Sequence, residues 1–318
     1  MLPRGADRRD GSIRLRIGRR RNGRDFSKKK ANLKFTISRS GTKSVIGSFG
    51  RPMKVSDAVG TFAMVFILPE DLNLTSGSPR YHRSFMDIYL SQFSKTYLFD
   101  LIEYQRILKQ RNALLKTMKD GEKKSGAAEL DAWDNNLVPA ALKIMAARTK
   151  FLQEIESNVE RIVWELSGSR EKVKIAYKPR IEVDNAGDQA AALSFFQKFR
   201  IRDKKYGTTV AGPHRDTIEI SMNRKPLKEF GSLGQKKTVM IAMKLAALDV
   251  MSAHLMDSAI LVLDEAFAEF DSDRTKSLLD LLSGGGQVFL ASADEKGLSD
   301  VYDDIRVFEV EDGKVTER

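Results

Sequence analysis

The 318-residue chain contains no cysteine. That excludes a disulfide frame and thiol chemistry, and it is compatible with a reducing cytosol. Long apolar runs are also missing. The longest, Phe62 to Leu68, is far too short to cross a bilayer as a helix, and no apolar signal-peptide core lies near the start. Histidine is scarce: His82, His214 and His254 lack metal-ligand spacing, so no zinc site is expected. Acidic charge is scarce only at the start. Residues 1–30 hold 12 Lys and Arg against 3 Asp, which accounts for +9 of the formal net charge of +11. Beyond them 42 basic and 40 acidic residues nearly balance. The high pI is therefore a property of the leader and says little about the folded body.

The length permits one large domain or two modest ones, and there is no internal repeat. Residues 1–12, with Pro, Gly and mixed charge, read as an unstructured basic leader. Ile13, Leu15 and Ile17 alternate with Arg14 and Arg16, Leu33, Phe35 and Ile37 repeat the pattern, and Lys43 to Ile46 follows. The spacing predicts a small antiparallel meander. The runs Arg19–Arg21 and Lys28–Lys30 either contact phosphates or form solvated hairpin ends. Thr61 to Leu68 reads as a buried strand, closed by the turn Pro69–Leu72. Two long stretches of helical spacing follow, from Arg80 to about Met118 and from Leu130 to Leu166, joined by the polar link Lys119–Gly126. They predict an αα-hairpin projecting as an arm, whose apolar stripe (Leu137, Ala141, Ile144, Arg148, Phe151, Ile155, Val159) is its packing seam. Val173, Ile175 and Tyr177 alternate as a strand. A helix over Gln189–Lys204 returns the chain to a strand over Thr217–Met222, turned at Asn223-Arg224. Arg274–Leu282 reads as a helix, Gln287–Ala291 as a core strand, and the tail as a hairpin around Asp312-Gly313.

The stretch that organises the chain runs from Phe230 to Asp271. A Gly-rich turn, Gly231-Ser232-Leu233-Gly234-Gln235, opens a long amphipathic helix. A wholly apolar strand, Ala259 to Leu263, then ends on Asp264-Glu265, and a short loop leads to Asp271. A continuous apolar run marks a strand buried on both faces of a parallel sheet, and ligands of open α/β sheets sit outside the carboxyl ends of such strands. Two adjacent carboxylates there suit a nucleotide–Mg²⁺ site, one holding the metal and the other polarising an attacking water. Gly231 and Gly234 allow close backbone approach. Ser232 and the N–H groups opening the helix suit an anion such as a γ-phosphate. Each feature alone is common; the order is what is specific.

That order resembles the ABC-type ATPases: signature loop, Walker B strand, catalytic Glu, and a D-loop at Ala268-Glu269-Phe270-Asp271. From residue 13 onward the chain resembles the RecF family of bacterial DNA replication and repair proteins. The resemblance is carried by Phe66–Leu72, Gly77-Ser78-Pro79, Arg83–Asp87, Leu108–Lys116, Trp133-Asp134 through Arg148 and Phe151, and Gly212-Pro213-His214-Arg215-Asp216. It implies an α/β fold, a P-loop NTPase-like ABC/SMC-type head, incomplete here, with an inserted helical arm. Residues 13–79 and 207–318 would form the head and 80–206 the arm. It further implies ATP and Mg²⁺ as cofactors, Asp264 on the metal and Glu265 as the catalytic acid. Ser232, Gly234 and Gln235 would cap an ATP held by a second copy, with Asp271 and the switch acid Asp294 completing the site. Implied partners are DNA at single-strand/double-strand junctions, RecO, RecR and a second copy in an ATP-dependent homodimer. The expected location is the cytoplasm, at the nucleoid, with no membrane.

The sequence departs from that pattern. It contains no Gly-x-x-x-x-Gly-Lys-Ser/Thr phosphate loop; Gly121–Gly126 has similar composition at the wrong spacing, and Gly284–Gly286 precedes a strand. The expectation is a chain truncated at its N-terminus, lacking the first strand, phosphate loop and first helix, and exposing apolar surface in consequence. Leu233, Lys236-Lys237 and Thr217 differ from the usual family residues. Three readings follow: an ATP-gated DNA-binding protein of recombinational repair, a DNA- or partner-binding module or inactive remnant without ATP turnover, and another ABC-type head such as a transporter ATPase.

Overall fold

A computed structural model describes residues 11–17, 31–37, 43–47, 51–121, 126–181, 188–255, 259–267, 270–282, 286–292, 306–311 and 314–317. Strands β1 (Gly11–Ile17), β2 (Ala31–Ile37), β3 (Lys43–Ile46) and β4 (Pro52–Met53) pair antiparallel in that order. Ile13 pairs in register with Phe35 and Phe35 with Val45, as the expected antiparallel meander requires. A short helix, α1 (Val55–Ala58), leads to β5 (Met64–Ile67). A 3-10 turn over Pro69–Leu72 and helix α2 (Asn73–Ser76) follow.

The helical region differs from the expected hairpin in one respect. The first segment is two helices, α3 (Pro79–Phe93) and α4 (Lys95–Lys119). Ser94 leaves helical geometry at φ −123° and ψ 100°, and its Oγ accepts the Tyr97 N–H at 3.1 Å, an N-cap inside a continuous apolar period. Helix α5 (Ala127–Leu166) runs for 40 residues, then β6 (Val173–Lys178) and α6 (Gln189–Tyr206) follow. The α5 stripe is not only an arm seam. Leu137 to Leu166 joins one core with Val65, Ile67 and the helix described next, while Leu114, Leu115 and Leu130 form a small separate cluster with Met118 and Trp133.

Strands β7 (Thr217–Met222) and β8 (Lys225–Pro226) complete an antiparallel sheet with β6. Their turn puts Asn223 and Arg224 at φ 49° and 67°, the left-handed pair of a tight hairpin. After α7 (Leu227–Phe230) comes α8 (Leu233–Leu255). Every residue from Thr238 to Ala247 is buried, so α8 is a central core helix rather than the expected amphipathic one; it is apolar all round because it is packed all round. By length and composition it is the one helix among the described residues that could span a bilayer, and it is the core of this fold instead.

Strand β9 (Ile260–Asp264), helix α9 (Ser272–Leu282), strand β10 (Gln287–Ala291) and the hairpin β11 (Phe308–Glu311) and β12 (Lys314–Glu317) end the chain. The central sheet is parallel in the order β10-β9-β5. Val65, Ile67, Leu261 and Leu263 are buried. The other face carries Phe66, Val262 and Phe289 in one register row, and Phe66 and Phe289 are 42% and 49% exposed. On β9 itself Ile260 is buried and Val262 half-buried on that face, so the expected burial of β9 on both faces holds in part, and the exposure falls on the flanking strands.

Two buried arginines tie the layers together. Arg148 of α5 donates to the Pro213 carbonyl at 2.7 Å, the Tyr97 hydroxyl at 3.1 Å and Asp87 at 2.8 Å, and its Nη1 lies 3.5 Å from Asp216. Asp216 also accepts the Tyr177 hydroxyl and the Arg180 N–H. Arg111 of α4 reaches Asp134 at 2.6 Å, Asp203 at 2.8 Å and Thr209 at 2.7 Å. The Gly212–Asp216 motif is thus braced against α5 and β6. Within it His214 accepts from the Tyr104 hydroxyl through Nδ1 at 2.6 Å and donates through Nε2 to the Thr209 carbonyl at 2.9 Å, which requires the neutral ring. Burial pushes the imidazole down to about 4.

A folded pKa below the unfolded one means that the unfolded chain binds more protons between the two values, so stability falls as pH drops from about 6.5 towards 4, by up to about 3 kcal/mol. His214→Gln keeps a donor and an acceptor without a proton to gain. Chemical denaturation between pH 7 and pH 5 is expected to show a larger stability loss in the parent than in His214→Gln. The carboxyls of Asp203 and Asp216, which burial holds above their usual range, are common to both proteins and cancel. Equal slopes would contradict the assignment.

Candidate functional site

The carboxyl end of β9 carries the two acids. Asp264 pairs in register with Ala291 of β10 and is half-buried. The chain then turns sharply: Glu265 adopts φ 52°, a left-handed conformation that costs a residue with a side chain on the order of 1 kcal/mol. Its N–H donates to the Ala291 carbonyl at 3.2 Å and its carbonyl accepts from Lys237 Nζ at 3.1 Å, which hold the turn while the side chain stays exposed. A cleft of about 130 Å³ opens here, lined by Ile67, Leu68, Lys237, Met240, Asp264 and Glu265 among others. It lies outside the carboxyl ends of β5 and β9, where ligands of open parallel sheets bind.

The start of α8 is built differently from its sequence reading. Ser232 Oγ accepts the Gln235 N–H at 3.2 Å, and Gln235 Oε1 accepts the Ser232 N–H at 2.9 Å. This is a reciprocal capping box. The first-turn N–H groups of Leu233 and Gly234 have no protein acceptor among the described residues. The two glycines of the turn are unlike. A Cβ on Gly231 would lie 2.6 Å from the Leu227 carbonyl oxygen, so the chain itself demands glycine there. A Cβ on Gly234 would meet nothing within 4 Å. No contact among the described residues requires Gly234, although glycine in a helix costs about 1 kcal/mol relative to alanine.

Asp271 caps α9 by accepting the Arg274 N–H at 2.8 Å. Arg274 then reaches across to Thr238 at 2.6 Å and Glu171 at 3.2 Å, and Glu171 also accepts from Gln235 Nε2 at 3.0 Å. So Gln235 and Asp271 belong to one network, joined through Arg274 and Glu171, while the Glu265 turn is joined to α8 through Lys237. Glu171 and Arg274 have no role in the sequence reading, and Lys237 enters it only as a departure from the usual family residue. Arg274 had a usable signal in its position three residues beyond a capping acid. Glu171 had none, because its partners lie 64 and 103 positions away. Asp294, Ala268 and Glu269 lie outside the described residues.

The arrangement fits a magnesium nucleotide in part. No group of three or more metal-ligating side chains occurs among the described residues. Asp264 at the cleft fits the usual Mg²⁺ arrangement, in which one or two carboxylates are completed by phosphate oxygens and water. The α8 opening has free N–H groups, a hydroxyl and an uncluttered glycine for an anion. The loop that would cradle the phosphates themselves is not in the sequence.

No protein-family model matches the chain. Among curated proteins it is 36% identical over 289 residues to the DNA replication and repair protein RecF of Geobacillus kaustophilus, covering 89% of this chain and 77% of that protein. It is 32% identical over 292 residues to RecF of Bacillus mycoides, covering 91% and 76%. Among solved structures it matches the recombination mediator protein RecF-ATPrS in the RecFOR pathway at TM-score 0.81 and 26% identity, over 98% of this chain and 81% of the other. It matches the RecF-ATP structure of the same pathway at TM-score 0.80 and 26% identity. The architecture is that of the solved RecF structures, and the chain belongs to the RecF family.

Proposed function

We propose that this protein acts in DNA replication and recombinational repair, binding DNA at single-strand gaps and contributing the capping half of an ATP site shared between two heads. Gly234 carries the reading. It stands where no contact among the described residues needs it, at a helix start whose first N–H groups have no acceptor among those residues, and such a surface is clear for a phosphate presented by another molecule. In this reading Ser232, Gly234 and Gln235 contact the γ-phosphate of ATP bound to the second head. Asp264 holds Mg²⁺ and Glu265 polarises the attacking water, with Asp271 and Asp294 alongside. When bound, ATP with Mg²⁺ supplies the phosphates that join the two heads; the protein's part is to orient them. Residues 13–79 and 207–318 serve as head and 80–206 as arm. DNA, RecO and RecR are the partners, and the nucleoid in the cytoplasm is the place.

A second reading is favoured by the missing phosphate loop: the 318-residue chain binds DNA or partners without turning ATP over. On that ground the purified chain is expected to hydrolyse no more ATP than its Glu265→Gln variant in a phosphate-release assay. Turnover above that control would refute the second reading.

Gly234→Ala is expected to keep or raise the melting temperature, because it removes the glycine penalty of up to about 1 kcal/mol, while preventing ATP-dependent association with a head that carries a phosphate loop. Gly231→Ala is expected to lower the melting temperature outright. A destabilised Gly234→Ala with unchanged association would remove the basis of the proposal. For DNA, fluorescence anisotropy on gapped duplex should show affinity that falls steeply with salt and is retained when residues 1–30 are deleted. Abolished binding after that deletion would place it in the basic leader.

A further inference from the structure

We propose that the corner where α4 and α6 end is a contact site for single-stranded nucleic acid, a reading that rests on the DNA-binding function above. The two helix ends touch. Gly207, at φ 69°, closes α6, and a Cβ on it would lie 2.9 Å from Lys119 Cδ and 3.7 Å from Lys116 Cα in the last turn of α4. Asn112 of α4 pins the join by accepting from Thr209 N and Oγ1 at 2.8 and 2.7 Å.

The sorting of charge along α6 is one-sided. Over residues 198–206 the inward positions are Arg200, paired with Asp131 and Asp134, and Asp203, paired with Arg111. The outward positions are Lys198, Arg202, Lys204 and Lys205, all exposed. The one acid of the stretch is therefore consumed inside, and the outer face is purely cationic. Lys116 and Lys119 of α4 add to it, with exposed Asp120 the nearest acid in sequence. None of Lys116, Lys119, Arg202, Lys204 and Lys205 pairs with a carboxylate among the described residues, whereas Arg106, Lys143, Arg161 and Lys178 on other faces do. Two converging helix C-termini account for a lysine or two, not for this excess.

Aromatic groups lie within the same patch. Tyr206 is 58% exposed, with Lys205 Nζ 6.0 Å from its ring centre, and the Arg202 guanidinium sits 5.5 Å over Phe199. Ile201 between them is 81% exposed. Cations that follow a backbone beside an open ring on which a base stacks are what single strands require.

The test is a salt titration of the full chain by anisotropy on labelled oligothymidine and on intact duplex. Replacing Lys116, Lys119, Lys204 and Lys205 together by Ala is expected to lower the slope of log K against log salt by about 0.7 for each lost contact. A charge-matched control, Lys54, Lys174, Lys225 and Lys276 to Ala, should keep the parental slope. Tyr206→Ala should weaken oligothymidine binding about fivefold or more, with Tyr206→Phe restoring it and duplex binding unchanged. A parental slope in the corner variant, an equal loss in the control, or a Tyr206→Ala variant that binds like the parent would each overturn the site. Failure of the parent itself to bind either DNA at low salt would overturn the DNA-binding reading with it.

Discussion

A guanidinium group at the centre of a protein has no water to fall back on, and this fold contains two. Arg111 and Arg148 are 0% and 2% exposed. Removing one partner from such a buried pair costs about 3–5 kcal/mol, so the carboxylates around each arginine have to arrive together. Those of Arg148 come from α3 and from the segment before β7; those of Arg111 come from α5 and α6. The geometry of the arm root is thereby fixed by charge balance. The apolar stripe of α5 alone would tolerate small rotations against α8, whereas the hydrogen bonds to a planar guanidinium do not.

Much of the architecture was legible as periodicity. The meander, β5 to β7, α5, α6 and the apolar strand closed by two acids all follow from spacing, because burial on one face leaves a regular trace. What escaped has physical causes. The break at Ser94 is silent because Leu90, Tyr97 and Leu98 keep the helical period across it while one serine hydroxyl reverses the backbone. The character of α8 was misread because a few polar residues suggested a wet face. Thr238 is instead held by Arg274 and the Gly234 carbonyl, and Lys244 is buried against Asp71 and the Phe66 carbonyl. Arg148 did leave a signal: a charged residue at a stripe position, which only a paired interior can accept.

Around the candidate site the acids were legible and their supports were not. Asp264 and Glu265 announce themselves by closing an apolar run. The residues that hold the site together, Lys237 at the Glu265 turn and Glu171 with Arg274 between Gln235 and Asp271, act across long sequence separations through single polar bonds, and a single bond has no period. The outer face of α6 was hidden for a different reason. Read as sequence, residues 198–206 are a mixed-charge helix. Only the inward turn of Arg200 and Asp203 separates the neutralised charge from the free charge.

The reciprocal bond between Ser232 and Gln235 has a consequence for any anion that arrives at this helix. Each side chain accepts the other's backbone N–H, so those two donors are engaged by the chain itself. The visitor is met by what the box leaves open, the N–H groups of Leu233 and Gly234 and the serine hydroxyl proton. It does not have to break the cap to bind: charge-assisted bonds from these donors add to the box. On release the box is still closed, so this helix end keeps its shape with or without the anion.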